Sequence, residues 1–237
     1  MTANARPSTL SAVRQLQLAM AVAALLGGAT ASGEALKLVD RPIRFDDERQ
    51  ALSREYIKQH YGLTVKDLRI VPRAIVIHWT GGGVNLEASW RGFNQVRMST
   101  SRRHLLRGGA VNVSAHFLVG RDGTAYRLMP ETWMARHCIG LNYDSIGVEN
   151  LGGGTRYPLT PRQLEADAAL VRYLVKKHPT IRFLLGHMEW KRFENSPLFR
   201  ELDPTYRNAK DDPGRAFMRQ LRARVADLKL ADAPAPR

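Results

Sequence analysis

The chain has 237 residues, 44% of them hydrophobic, enough for one sizeable α/β domain with a full core. Its formal net charge of +14 selects for a polyanionic partner: nucleic acid, an anionic membrane face or an acidic wall polymer. Cys138 is the only cysteine, so an internal disulfide is excluded, and a lone thiol of this kind reads as a small buried residue.

The first 31 residues read as a cleavable export signal. Arg6 and Arg14 precede the apolar run "LQLAMAVAALL", which is followed by an Ala29-Thr30-Ala31 cleavage site. The run is shorter than the roughly 20 residues a spanning helix needs, so no stable membrane anchor is expected. Without residues 1–31 the chain keeps 34 basic and 22 acidic residues, a net charge of +12. A periplasmic or secreted protein meets no nucleic acid, which leaves the wall polymer as the leading partner.

Residues 32–72 read as a lead-in and one helix: 32–44 exposed, then a helix capped by Asp46-Asp47 that runs to Tyr61 and stops at Gly62. The stretch "RAIVIHWTGGG", residues 73–83, reads as a buried strand that ends on His78 and opens into a glycine loop. A histidine where a strand leaves the sheet sits at the usual address of a functional site. "NLEASWRGFNQV" reads as helix. From Ala88 to Arg121 there is no acid, while Arg91, Arg97, Arg102, Arg103 and Arg107 fall in that interval.

"VSAHFLVGRDGTAYRLMP" predicts a hairpin, with strands to Val119 and from Thr124 to Met129 about a turn at Asp122-Gly123. "SIGVENL", residues 145–151, predicts a strand with Glu149 near its end. Thr160, Pro161 and Gln163 form a capping-box start for a helix whose apolar stripe is Leu164, Ala168, Val171, Leu174 and Val175. "IRFLLGH" repeats the first pattern, a strand ending on His187. A basic helix is expected from Pro213 to Leu228, and residues 230–237 read as a disordered tail. His116 reads as packed inside its strand, and His60, His104 and His178 as surface residues.

Two strand-end histidines suit a catalytic zinc site, which uses three protein ligands and keeps a fourth position open. The third ligand and a proton-transfer group are open among Glu149, Asp203, Asp211 and Asp212. The segments "IVIHWTGG", "VSAHFLVGRDGTAYRLMPE", "RHCIGLNYDSIGVEN", "LLGHMEW" and "KDDPGRAF" stand in the order and type found in zinc-dependent N-acetylmuramoyl-L-alanine amidases. The chain resembles that superfamily, which includes phage lysozyme-type amidases, bacterial anhydro-muropeptide amidases and peptidoglycan recognition proteins, over residues 73–220.

The resemblance implies a mixed central sheet flanked by helices, with a catalytic domain over residues 73–229 and a groove across the strand ends. It implies Zn²⁺ held by His78, His187 and Asp212, with Glu149 as general base and Lys210 as oxyanion stabiliser. The substrate it implies is peptidoglycan or muropeptides. The tyrosine that the phage branch carries before the "HF" histidine is Ala115 here, which leaves the base role to Glu149 alone. His187 and Asp212 lie 25 residues apart, farther than in small family members, so Asp203 in "LDPT" is a rival ligand. It lacks the lysine two residues before and the glycine two after that mark Asp212. Substrate contacts are expected at His137, Trp79, Asn142, Arg102 and Arg103. The alternative is a peptidoglycan-binding protein without catalysis; such members typically lose a metal ligand, and this chain keeps all three.

Overall fold

The computed structural model describes Met1 and residues 35–234, with Arg103 and His104 placed by backbone alone. Apart from Met1, the expected export signal lies outside the described residues. In chain order the elements open with strand β1, Leu38–Asp40, and helix α1, Asp47–Tyr61. Strand β2, Ala74–Trp79, follows, then helices α2, Leu86–Asn94, and α3, Arg103–Leu106. Strands β3, Phe117–Val119, β4, Ala125–Arg127, and β5, Ser145–Asn150, lead to helix α4, Pro161–Lys177. Strand β6, Phe183–Gly186, and helix α5, Arg215–Arg224, complete the set.

The six strands form one mixed sheet in the order β1-β4-β3-β5-β2-β6. Only the β3–β4 hairpin is antiparallel; the other neighbours run parallel. Side chains alternate across a strand, and here the alternation separates core from site. Ile75 and Ile77 of β2, Ile146 and Val148 of β5, and Leu184 of β6 pack with Val171 and Leu174 of α4 and Met218 and Leu221 of α5. Ala74, Val76 and Leu185 point the other way and pack with Leu141, Trp190 and Phe193. His78, two residues past Val76, therefore projects from the face opposite α4 and α5.

Local chemistry explains where the helices start and stop. The Asp46 carboxylate accepts the Arg49 N–H at 3.1 Å, and Gly62 ends α1 in the left-handed region at φ 67°. At α4, Thr160 Oγ1 accepts the Gln163 N–H while the Gln163 side chain accepts the Thr160 N–H, at 3.1 and 2.9 Å. Gln163 then donates to the Val119 and Leu151 carbonyls, so the cap also ties α4 to the sheet.

Four expectations need correction. The lead-in is not merely exposed chain, because Leu38–Asp40 adds a parallel edge strand beside β4. His60 is fully buried, not on the surface: its Nδ1 meets both Glu201 oxygens at 2.9 and 3.0 Å, and Tyr56 stacks on its ring. The last helix is shorter at both ends, since Gly214 at φ 89° is not helical and a 3₁₀ turn, Ala226–Leu228, follows α5. The tail is ordered as far as it is described: Ala231 bridges to Phe183 at the β6 edge, and Asp232 pairs with Arg192 at 2.9 Å.

The 25-residue interval between His187 and Asp212 also gains a structure. It begins as a 3₁₀ helix, His187–Phe193, and is then bound to α1 by the His60–Glu201 pair and by the Leu202 N–H donating to the His60 carbonyl at 2.8 Å. Tyr206, Asn208 and Lys210 at its far end are delivered to the wall of a cavity beside His78. Among the described residues no helix is long and apolar enough to cross a membrane.

Candidate metal centre

Strand register places the site. His78 on β2 is paired with Glu149 on β5, and Ile77 is paired with Gly186 on β6, so His187 comes next in the same row. Neighbouring parallel strands lie about 4.8 Å apart, so three consecutive strands deliver His78, Glu149 and His187 side by side. All three lie at the carboxyl ends of parallel strands, where open α/β sheets place their ligands. Asp212, brought back by the interval after β6, completes the group.

The donor atoms converge. His78 Nδ1 lies 2.9 Å from His187 Nδ1, and Asp212 Oδ2 lies 3.3 Å from the first and 3.1 Å from the second. His78, His187 and Asp212 are all buried. Asp203 is elsewhere, with its carboxylate accepting the Thr205 N–H and hydroxyl at 2.8 and 2.7 Å, so of the two aspartates it is Asp212 that stands beside the histidines.

Hydrogen bonds fix the tautomers. His137 Nε2 faces two acceptors, the Ser145 carbonyl and Ser145 Oγ, each at 3.4 Å; that hydroxyl's own proton goes to the Leu141 carbonyl. Nε2 of His137 thus carries its proton, and its bare Nδ1 accepts from His78 Nε2–H at 3.1 Å. His78 is left with a bare Nδ1 aimed at His187 and Asp212. One proton at most, on His187, would have to serve three electron-rich atoms, whereas one cation at their centre serves all three. Donors about 2.0–2.1 Å from a zinc ion in a tetrahedron stand roughly 3.3 Å apart, close to the spacings here.

The ionisation states agree with that fit. Burial and the neighbouring His78 push His187 down to about 4, so it is neutral at neutral pH. Burial opposes ionisation of Asp212, but the His187 contact outweighs it and holds the carboxyl well below its usual range. Neutral imidazoles and an ionised carboxylate are the forms that bind metal. Glu149 behaves differently: burial, with Asp212 adding to it, pushes its carboxyl up to about 7. Its Oε2 is buried and has no hydrogen-bond partner.

Around these groups is a cavity of about 310 Å³, lined among others by Trp79, Arg102, His137, Glu149 and Lys210. Trp79 rests against Gly153, where an added Cβ would meet the indole at 2.3 Å. Arg102 stands exposed at the rim; of Arg103 only the backbone is described. Not all of the arginine-rich interval faces the cavity, because Arg91 pairs with Glu87 and Arg97 with Glu48, at 3.0 and 2.6 Å.

Two expected substrate contacts have other work. Asn142 Oδ1 accepts the N–H groups of His137 and Cys138, both at 2.7 Å, and its Nδ2 donates to the Tyr56 and Tyr61 hydroxyls. Its polar atoms are occupied in holding the His137 loop. His137 lines the cavity as expected, but it also orients His78. His116, expected to be packed, is: it accepts the Gly147 N–H and donates to the Trp133 carbonyl, and burial lowers it to about 4. Cys138 is buried, with its thiol pushed up by burial, and is not a nucleophile.

Sequence reasoning missed a chain of buried polar groups behind the site. Asn150 Nδ2 donates to the Asp167 carboxylate at 2.9 Å and lies 3.3 Å from the His78 carbonyl. The signal was present in α4, where Asp167 falls beside Ala168 within an otherwise apolar stripe.

The family model described as Amidase_2, N-acetylmuramoyl-L-alanine amidase, matches residues 68–215, more than half of the chain. The chain belongs to the N-acetylmuramoyl-L-alanine amidase family. Among solved structures, this amidase-family chain is similar to the endolysin N-acetylmuramoyl-L-alanine amidase LysCS from Clostridium intestinale. The TM-score is 0.53 at 20% identity, over 82% of this chain and 99% of that one. The amidase LysC from the same organism matches at TM-score 0.49 and 21% identity, over 80% and 97% of the two chains. A selenomethionine derivative of AmpD matches at TM-score 0.46 and 21% identity, over 81% and 96%. No curated protein matches by sequence. The likeness to LysCS supports the fold, a mixed sheet with flanking helices; the family match adds the amidase assignment.

Proposed function

We propose that the chain is a zinc-dependent N-acetylmuramoyl-L-alanine amidase, hydrolysing the amide between N-acetylmuramic acid and the L-alanine of peptidoglycan or muropeptides. The observation that carries this reading is the row His187, His78 and Glu149 on three adjacent strands, with Asp212 closing the donor set. His78, His187 and Asp212 would hold the metal. When bound, zinc supplies a Lewis acid for the scissile carbonyl and a water whose pKa falls to about 7.

The remaining work belongs to the chain's own groups. Glu149, with its carboxyl near 7 and a free Oε2, takes a proton from the attacking water and returns it to the departing amine. Lys210 lines the same cavity and offsets the charge that develops on the carbonyl oxygen. Trp79 walls the cavity, and His137, in contact with His78, keeps that imidazole in the tautomer whose Nδ1 faces inward.

The test is a digest of purified peptidoglycan, with and without a chelator, read by mass spectrometry. Release of stem peptides with a free L-alanine amine, abolished by chelation, is the expected result. Binding without release would favour the non-catalytic alternative. Glu149→Gln should keep the metal and lose roughly 10²–10⁴-fold in turnover; a near-normal rate would remove Glu149 from the mechanism. An export site of action is part of the proposal: protein recovered from cells should begin near Ser32, and an intact N-terminus in the membrane fraction would overturn it.

A further inference from the structure

The larger of the two cavities at this end of the fold is not the one that holds the metal donors. A groove of about 680 Å³ runs beside it, and the two share Lys210 and Asp211 in their walls. Six cationic side chains line the groove: Lys191, Arg192, Lys210, Arg215, Arg219 and Arg222. Glu189 and Asp211 are its two acids. Glu189 is taken by Arg222, at 2.5 and 3.1 Å, and Arg192 is taken by Asp232 at 2.9 Å. Among the described residues, Lys191, Lys210, Arg215 and Arg219 have no carboxylate within 4.0 Å.

The placement of these cations is not explained by the helix that carries three of them. Arg215, Arg219 and Arg222 fall at i, i+4 and i+7 of α5, on one stripe, while Met218 and Leu221 face the core. Like charges at i, i+4 destabilise a helix, and a cation in its first turn is opposed by the helix dipole. No acid is present in that turn to offset it. Arg222 is offset by Glu189, but Arg215 and Arg219 cost the helix stability with no carboxylate partner among the described residues, an arrangement that suits something outside the chain.

We infer that this groove is a second binding surface, which seats carboxylates of a polymeric wall substrate beyond the unit held in the metal cavity. The inference rests on the amidase reading, because only a polymer extends past the Lys210–Asp211 ridge from one cavity into the other. A carboxylate-bearing strand suits the groove's chemistry: ammonium and guanidinium groups, three of them spread over about 10 Å of helix. It also relocates the role that the charge of +14 suggests. Arg91 and Arg97 of the interval between Ala88 and Arg121 are already paired, whereas Lys191, Lys210, Arg215 and Arg219 of the groove have no carboxylate partner among the described residues.

The test uses the full chain with Lys191→Gln, Arg215→Gln and Arg219→Gln combined. These residues are exposed, so a melting temperature equal to the parent's or slightly above it, from relief of the repulsion on the helix, is expected and checks folding. Cosedimentation with purified sacculi should weaken on the order of tenfold at low salt, and the difference should shrink as salt rises. Turnover of a soluble disaccharide-peptide, which occupies the metal cavity alone, should stay within about twofold of the parent. Unchanged sedimentation would overturn the inference, as would equal losses on both substrates. A loss confined to anionic lipid vesicles would replace it with a membrane surface. If the parent released no stem peptide while the variant still lost sacculus binding, the groove would stand and the amidase reading would fall.

Discussion

Glu149 and Asp212 are two carboxylates in one cavity, and their surroundings drive them in opposite directions. The His187 contact holds Asp212 ionised, whereas burial leaves Glu149 near 7. Divergent pairs of this kind mark separate roles, which the proposed function assigns as ligand and proton carrier. A third buried acid, Asp167, is the cleaner object for a stability measurement because it touches neither ligand side chain. Burial pushes it up to about 7 against the Asn150 hydrogen bond, and its Oδ1 has no partner. Its folded form binds a proton more tightly than the unfolded chain, so its contribution is fully present below about pH 4 and is lost as pH rises to about 7. Asp167→Asn has no such titration. The variant should gain in melting temperature relative to the parent between pH 5 and pH 8; parallel profiles would mean that Asp167 stays ionised throughout. The two histidines of the proposed donor set were legible in the sequence because apolar strand runs beside glycines end on them; Asp212 was singled out only through the resemblance carried by "KDDPG". Asp167 and Asn142 were not, because a polar residue beside an apolar stripe or in a loop has no local mark of the partner that buries it.

At the scale of elements, β5 shows how one strand serves core and site together. Ile146 and Val148 face α4, and the intervening Gly147 faces His137. An added Cβ at Gly147 would stand 2.6 Å from the His137 ring, so the absence of a side chain is what lets that ring reach His78. Gly147→Ala should displace His137 and weaken metal binding by roughly 10–100-fold, the usual cost of losing a group that orients a ligand. His137→Ala should do the same with less cost to folding. Metal titration of both variants checks this, and parental affinity in either would show that His78 needs no orienting partner. The strands themselves were legible from apolar runs and turn residues, and both long helices from their caps. What the pattern could not give was pairing. β1 is three residues with an exposed face, too short for any periodicity, and only the register against β4 makes it a strand. His60 looked exposed because α1 is polar on average; the Glu201 that buries it lies 141 residues away.

At the scale of the whole molecule, the proposed metal centre joins segments that are otherwise far apart. His78 stands next to last in β2, about a third of the way along the chain, while Asp212 arrives through a long interval pinned on α1. An ion bound by all three donors therefore cross-links β2, β6 and the approach to α5 in the folded state alone. Ligand that binds only the native chain stabilises it by RT ln(1 + [L]/Kd), about 2.7 kcal/mol at a hundredfold excess over Kd. For a chain of this size each kcal/mol is worth about 2–4 °C. Saturating zinc should thus raise the melting temperature by roughly 5–10 °C over the chelated protein. The gain should vanish in His187→Ala and in Asp212→Asn and persist in Asp203→Asn, whose carboxylate serves only its own turn. It should also persist in Glu149→Gln, since Glu149 lies beside the donor set without belonging to it. A zinc-dependent rise in Asp212→Asn that is absent in Asp203→Asn would reverse the assignment of the third ligand. No rise in the parent would mean that the three donors are held together by protons and not by an ion.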